Sequence, residues 1–247
     1  MLEIKNLSIS YDKKSIVNDV NLSLETRSSL TILGANGCGK SSLAKAISGL
    51  IDFKGSIDIN KQNIEELNIK DRAKLCAYIP AKLESYDLQI SVREFVLIGR
   101  FAHKSKWANY SKEDYDKVDA VLKELNLLEI SDQPLGTLSS GQQQLLMIAQ
   151  ALVQETPLII FDEPTAHLDP KNVVHFVKLF KQLKEKYTLI LITHDIQLAQ
   201  TLDQTILFIQ DHKALLYKEN FFNPQTLLKH YGVAFKEQTS QVGLCFD

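Results

Sequence analysis

The sequence predicts an α/β protein: a parallel sheet layered with helices and interrupted by a helical block. Three observations carry this. Residues 158–161 and 189–192 are short all-apolar runs, the composition of strands buried on both faces. Such runs alternate with stretches of helical periodicity, the pattern of a parallel sheet. Finally, the glycine-rich segment Gly34-Ala35-Asn36-Gly37-Cys38-Gly39-Lys40-Ser41 lies between a strand run and a helix.

In chain order, residues 2–11 and 20–25 show period-two alternation, and 30–33 is an apolar run stopped by glycine. A helix is expected over 41–50, with Leu43, Ala46, Ile47 and Leu50 on its apolar stripe, followed by a strand over 54–60. Strand signals then nearly vanish from about 82 to 155. Helices are expected there over 91–99, 112–128 and 141–155. The second carries Tyr115, Val118, Val121, Leu122 and Leu125 on one stripe, and the third Leu145, Ile148, Ala149 and Leu152. Alternation returns with strands over 158–161, 188–193 and 205–210 and helices over 172–186 and 196–202.

With 247 residues, 45% apolar and 23% charged, the chain is globular rather than disordered or fibrous. Its 28 basic and 30 acidic residues leave no overall positive field pointing to nucleic acid, with a local basic patch still open. No apolar run approaches the ~18–20 residues that span a bilayer, and the start lacks the basic and apolar regions of a signal peptide. Cys38, Cys76 and Cys245 have no metal-ligand spacing and suit reduced thiols. The expectation is a soluble intracellular protein.

The segment 34–41 fits Gly-x-x-x-x-Gly-Lys-Ser, the phosphate-binding loop. Its glycines let backbone N–H groups turn inward around phosphates, and the next helix presents its positive end. Lys40 would meet the β- and γ-phosphates, and the Ser41 hydroxyl would face Mg²⁺. The run 158–161 ends in Asp162-Glu163. An apolar strand carries a terminal carboxylate to the sheet edge where ligands bind. Asp162 would serve Mg²⁺ there, and Glu163 would polarise the attacking water. Ser139-Ser140-Gly141-Gln142 begins a helix with a serine cap, equally suited to an anion or to plain capping. His194 ends a strand, where a lone histidine is more often structural. Tyr11 closes the first strand and could be a half-buried sheet residue. Cys38 precedes a helix N-terminus, which lowers a thiol pKa. That suggests a reactive thiol, although a small residue that simply fits is an equal reading.

These elements, in this order over nearly the whole length, resemble the nucleotide-binding subunit of ATP-binding cassette (ABC) transporters. The resemblance implies a P-loop NTPase (RecA-like) core over about 1–81 and 156–218, with an antiparallel β subdomain. It also implies an inserted helical subdomain over about 82–155 and a C-terminal extension over about 219–247, all in one ATPase domain. Residues 34–41 with Ser42 look like the Walker A motif. Leu138–Gln142 resembles the signature Leu-Ser-Gly-Gly-Gln, with Ser140 in place of its first glycine. Asp162 and Glu163 match the Walker B aspartate and catalytic glutamate, and Ala166-His167-Leu168-Asp169 the D-loop. His194 matches the switch histidine, and Tyr11 the aromatic that stacks on adenine. By this resemblance two copies pair head to tail and hold MgATP between one Walker A loop and the other copy's signature serine. Closure and hydrolysis then drive two integral membrane permease subunits, fed by a substrate-binding protein, from the inner face of the cell membrane.

One position departs from the family pattern. Tyr78-Ile79-Pro80-Ala81 stands where Tyr-x-Pro-Gln is usual, so a Mg²⁺ ligand that relays nucleotide state is replaced by a methyl group. Gln89 lies eight residues on. Either Mg²⁺ keeps water at that position, or hydrolysis is slower or less tightly coupled. Ser91-Val92-Arg93-Glu94-Phe95-Val96-Leu97-Ile98-Gly99-Arg100 and the tail Asn223-Pro224-Gln225-Thr226-Leu227-Leu228, with Tyr231-Gly232-Val233, resemble importers of iron–siderophore, haem or cobalamin chelates; zinc and manganese importers look similar. With no regulatory domain expected after residue 247, the resemblance favours a free importer cassette. The alternatives are a non-transport cassette such as an iron–sulfur cluster assembly ATPase, and a nucleotide-binding module without turnover.

Overall fold

The computed structural model describes residues 1–12, 14–83, 88–105 and 108–232. Its first half runs β1 (Leu2–Tyr11), β2 (Lys14–Leu24), β3 (Ser29–Gly34), α1 (Lys40–Ile47), β4 (Lys54–Ile59), β5 (Gln62–Asn63), α2 (Ile69–Ala73), β6 (Cys76–Ile79) and α3 (Val92–Ile98). Next come α4 (Lys112–Glu124), α5 (Ser140–Leu152), β7 (Leu158–Asp162), α6 (Pro170–Lys184), β8 (Thr188–Ile192), α7 (Ile196–Leu202), β9 (Thr205–Gln210), β10 (Lys213–Tyr217) and α8 (Pro224–Tyr231).

The larger sheet has the order β10-β9-β3-β8-β7-β6. Its strands are parallel except β10, which pairs antiparallel with β9 at one edge. The all-apolar strands make sense because both of their faces are covered. Leu158, Ile160, Ile190 and Ile192 face a core shared with α1 and the smaller sheet. The intervening Ile159, Phe161, Leu189 and Leu191 face α3, α4, α5 and α6. The smaller sheet, β2-β1-β4-β5, is antiparallel throughout. Its inward residues Leu2, Ile4, Leu7, Ile9, Ile57 and Ile59 close over α1. A third apolar cluster seats α8 on β9 through Phe208, Phe221 and Leu227.

Several expected boundaries move. α1 stops at Ile47, because Gly49 turns the chain at φ 67°, and Leu50 ends exposed rather than on the buried stripe. α4 stops at Glu124, and Leu128–Ile130 forms a separate 3₁₀ turn. Tyr115 is likewise exposed, while Val118 and Leu122 are buried. In α5 the buried face centres on Leu146, Met147, Ile148 and Ala149, with Leu145 only half-buried. β2 begins six residues before the expected strand. The short α2, β5 and β6, the edge strand β10 and the terminal α8 had no clear periodic signal. Val233 and Cys245 lie outside the described residues.

Candidate nucleotide site

The parallel strands bring their carboxyl ends to one edge of the sheet, where ligands bind in open α/β folds. β3 ends there on Gly34, β7 on Asp162, β8 just before Thr193-His194, and β6 just before Pro80-Ala81.

The loop between β3 and α1 is shaped by glycines at two tight positions. At Gly34 a Cβ would stand 2.5 Å from Ile209 O and 2.7 Å from Cys38 Sγ; at Gly39 it would stand 2.6 Å from Val17 Cγ2. Both residues have positive φ, 153° and 109°, so side chains are excluded by strain as well as by space. The Gly39 contact also shows that β2 of the smaller sheet buttresses the loop. The N-cap of α1 is Gly39, which has no side chain to bond the first amides, a helix start suited to an anion. Lys40 is buried, and its Nζ donates to Gly34 O at 2.9 Å and Ala35 O at 3.0 Å. The ammonium is thus held inside the loop by carbonyls that a phosphate would replace as partners. The Cys38 thiol departs from expectation. Burial pushes its pKa up, against the pull of Lys40, so the reactive-thiol reading is reversed.

Ser41 Oγ donates to Asp162 Oδ1 at 3.1 Å. This hydroxyl–carboxylate pair, on a buried aspartate, offers hard oxygen donors of the kind Mg²⁺ takes. Sequence reasoning missed a second hydroxyl at the same carboxylate: Tyr78 Oη donates to Asp162 Oδ2 at 2.7 Å. The sequence carried no signal for it, because the contact depends on β6 pairing with β7: Tyr78 stands in register with Ile160, two residues before Asp162 and therefore on the same sheet face.

Glu163 sits at φ 50° with its N–H donating to Ile192 O at 2.9 Å, a backbone kink that turns its side chain off the strand. His194 Nδ1 lies 2.9 Å from Glu163 Oε2. Against an ionised carboxylate, which only accepts, Nδ1 would be the donor. Tyr11, 46% exposed, places its hydroxyl 3.5 Å from Ser42 Oγ beside the first turn of α1, and its ring is open for stacking.

The signature-like segment stands apart. Ser139 and Gln142 form a reciprocal capping box at the start of α5, with Ser139 N donating to Gln142 Oε1 at 2.9 Å and Gln142 N to Ser139 Oγ at 3.3 Å. Among the described residues no hydrogen bond joins 138–142 to 34–42. Asp169 caps α6, accepting from Asn172 N and Asn172 Nδ2, both at 2.9 Å. Asn172 also explains Gly141, where a Cβ would stand 2.8 Å from the Asn172 amide. Ala81 lines a ≈ 40 Å³ cavity with Ser140, Gln144, Pro164 and His167. The structure therefore gathers the phosphate loop, Asp162, Glu163, His194 and Tyr11, and leaves Ser139, Ser140, Gly141 and Gln142 outside that group.

Sheet order, phosphate loop and strand-end acids define a P-loop ATPase cassette. A model of the ABC transporter family matches residues 17–166. The chain is 33% identical to the iron(3+)-hydroxamate import ATP-binding protein FhuC of Bacillus subtilis, over 79% of this chain and 73% of that protein. It superposes on an inward-facing metal-chelate type ABC transporter with a TM-score of 0.84 and 27% identity, covering 97% of this chain and 92% of the other. It is also similar to a dimeric ATP-binding cassette bound to ADP and Pi, with a TM-score of 0.76 and 25% identity, covering 90% and 100% of the two chains. The chain belongs to the ABC transporter family, as an ATP-binding subunit whose ATPase activity is coupled to transport.

Proposed function

We propose that this chain hydrolyses MgATP at the interface of a head-to-tail dimer and so powers uptake of a metal chelate, such as an iron–siderophore, haem or cobalamin, through two membrane permease subunits. One observation carries the dimer reading: among the described residues, no hydrogen bond joins the serine-capped start of α5 to the phosphate loop of its own chain. A helix start with an exposed hydroxyl suits the γ-phosphate held by a second copy. The similarity to a hydroxamate importer subunit and to a metal-chelate type transporter supports the cargo class.

In this reading the amides of 36–42 and Lys40 hold the phosphates, and Tyr11 stacks on adenine. Ser41 and Asp162 would hold Mg²⁺, which would supply charge neutralisation for the phosphates. Glu163 orients a water in line with the γ-phosphorus and accepts its proton as the β–γ bridging bond breaks. His194 Nδ1–H keeps the Glu163 carboxylate aimed. Asp169 lies on the turn entering α6 and would meet the opposite copy.

Among the described residues no helix is long and apolar enough to cross a membrane, so coupling must pass through a docking face. A ≈ 310 Å³ groove between α2 and the helical block exposes Ile69, Ile98 and Phe101, with Lys70 4.9 Å from the Phe101 ring. It suits an apolar helix of the permease, with the chain peripheral on the cytoplasmic face. The test is Glu163→Gln, read by MgATP turnover and by sedimentation in ATP. Turnover is expected to fall about a hundredfold or more, while the variant is held by ATP as a dimer. Retained turnover, or a monomer in ATP, overturns the mechanism.

A further inference from the structure

The Asp162 carboxylate is gripped at both oxygens, and only one grip comes from the phosphate loop. Ser41 holds Oδ1 at 3.1 Å, and Tyr78 holds Oδ2 at 2.7 Å, a short, strong O–H···O contact. The tyrosine is well placed for this. β6 runs parallel to β7 with Tyr78 opposite Ile160, so its ring lies along the face that Ile160 and Asp162 share. The ring packs against the apolar cluster beneath, which fixes where the hydroxyl stands. Three residues further on, Ala81 presents only a methyl group.

We propose that Tyr78 is a positioning residue for Mg²⁺: its hydroxyl fixes the Asp162 carboxylate so that Oδ1 faces the cation shared with Ser41. The proposal rests on the reading that Ser41 and Asp162 hold Mg²⁺. When a cation arrives, the Ser41 oxygen must turn a lone pair toward it and its hold on Asp162 is rearranged. The Tyr78 bond lies on the other carboxylate oxygen and can persist. Without it the carboxylate is free to rotate about Cβ–Cγ, and ordering it again becomes a cost of binding the metal.

The experiment measures the affinity of the full chain for a fluorescent ATP analogue, once in Mg²⁺ and once in EDTA. The readout is the ratio of the two affinities, for the wild type, Tyr78→Phe, Tyr78→Leu and Asp162→Asn. Both Tyr78 variants are expected to keep the EDTA affinity within about twofold of wild type and to lose about tenfold of the Mg²⁺ enhancement, as for a lost hydrogen bond to a charged group. Thermal melting shows separately that they are folded. A purely packing role would lower the melting temperature of Tyr78→Leu and leave the ratio untouched. A wild-type ratio in both Tyr78 variants, with the enhancement lost in Asp162→Asn, overturns the role of Tyr78 alone. No enhancement in the wild type, or an unchanged ratio in Asp162→Asn, overturns the metal assignment and the proposal with it.

Discussion

Single residues at the strand ends divide into those whose role is local and those whose role depends on a neighbour. Gly34 and Gly39 are local: their positive φ, 153° and 109°, already favours glycine whatever packs around them. Glu163 is not, since its aim depends on the Ile192 carbonyl that accepts its N–H and on His194 from the next strand. Ala81 is the residue where sequence and chemistry part. Its methyl lines a ≈ 40 Å³ cavity against Pro164 and His167 and supplies no oxygen. Restoring an amide there, as Ala81→Gln, is expected to raise steady-state MgATP turnover about fivefold, roughly 1 kcal/mol in the barrier. Turnover and permease stimulation equal to wild type would mean that water already serves the position.

At the scale of elements, the helical block shows how a motif-like stretch can be structural. Gly99 ends α3 where a Cβ would stand 2.4 Å from Gln150 O and 2.7 Å from Val153 Cγ2 on and just after α5, so the glycine is set by close helix approach. Arg100 beside it is buried. Its guanidinium donates to Asp114 Oδ1 at 2.9 Å, and to Val153 O and Glu155 Oε2 at 2.7 Å each. It thereby ties α4 to the end of α5. Burial works against ionisation of Asp114, but bonds from Arg100 and Ser111 outweigh it, and its pKa is lowered from 3.8 to about 2. A carboxyl more acidic in the folded than in the unfolded chain stabilises the fold above pH 3.8, and this is lost as pH falls toward 2. Urea midpoints are therefore expected to drop across that window in the wild type. Asp114→Asn, with nothing to titrate there, should start lower and fall less. Parallel curves for the two proteins would contradict the assignment.

For the whole molecule, the proposed function requires that a nucleotide site at the sheet edge reach a membrane partner. The groove lined by Ile69, Ile98 and Phe101 draws on α2 on one side and the end of α3 on the other. A partner seated there would feel any movement of the helical block against the sheet. Phe101 is 53% exposed and Ile69 84%, apolar area that gains from being covered. Phe101→Asp is expected to release the chain from membranes containing the permease, as read by co-sedimentation, while the purified variant still dimerises in ATP. Undiminished membrane association would place the docking face elsewhere.

Much of the fold and site was legible because it follows from local demands. A glycine pattern that only a tight, amide-lined turn explains marked residues 34–41, and an apolar strand ending in acids marked Asp162 and Glu163 once that loop was in view, whereas His194 was singled out only by the family resemblance. The strands and helices of the last third were readable by periodicity, since covering both faces of a parallel sheet leaves a continuous apolar run. Tertiary packing decided what periodicity cannot carry. Leu50 and Tyr115 sit on apolar stripes yet face solvent. Cys38 has a raised pKa because packing against the apolar cluster buries it, and Tyr78 meets Asp162 only because β6 lies beside β7. The capped start of α5 stands away from its own phosphate loop for the same reason. Sequence specifies which turn or strand a segment forms; which side chains then meet depends on how those elements are laid side by side.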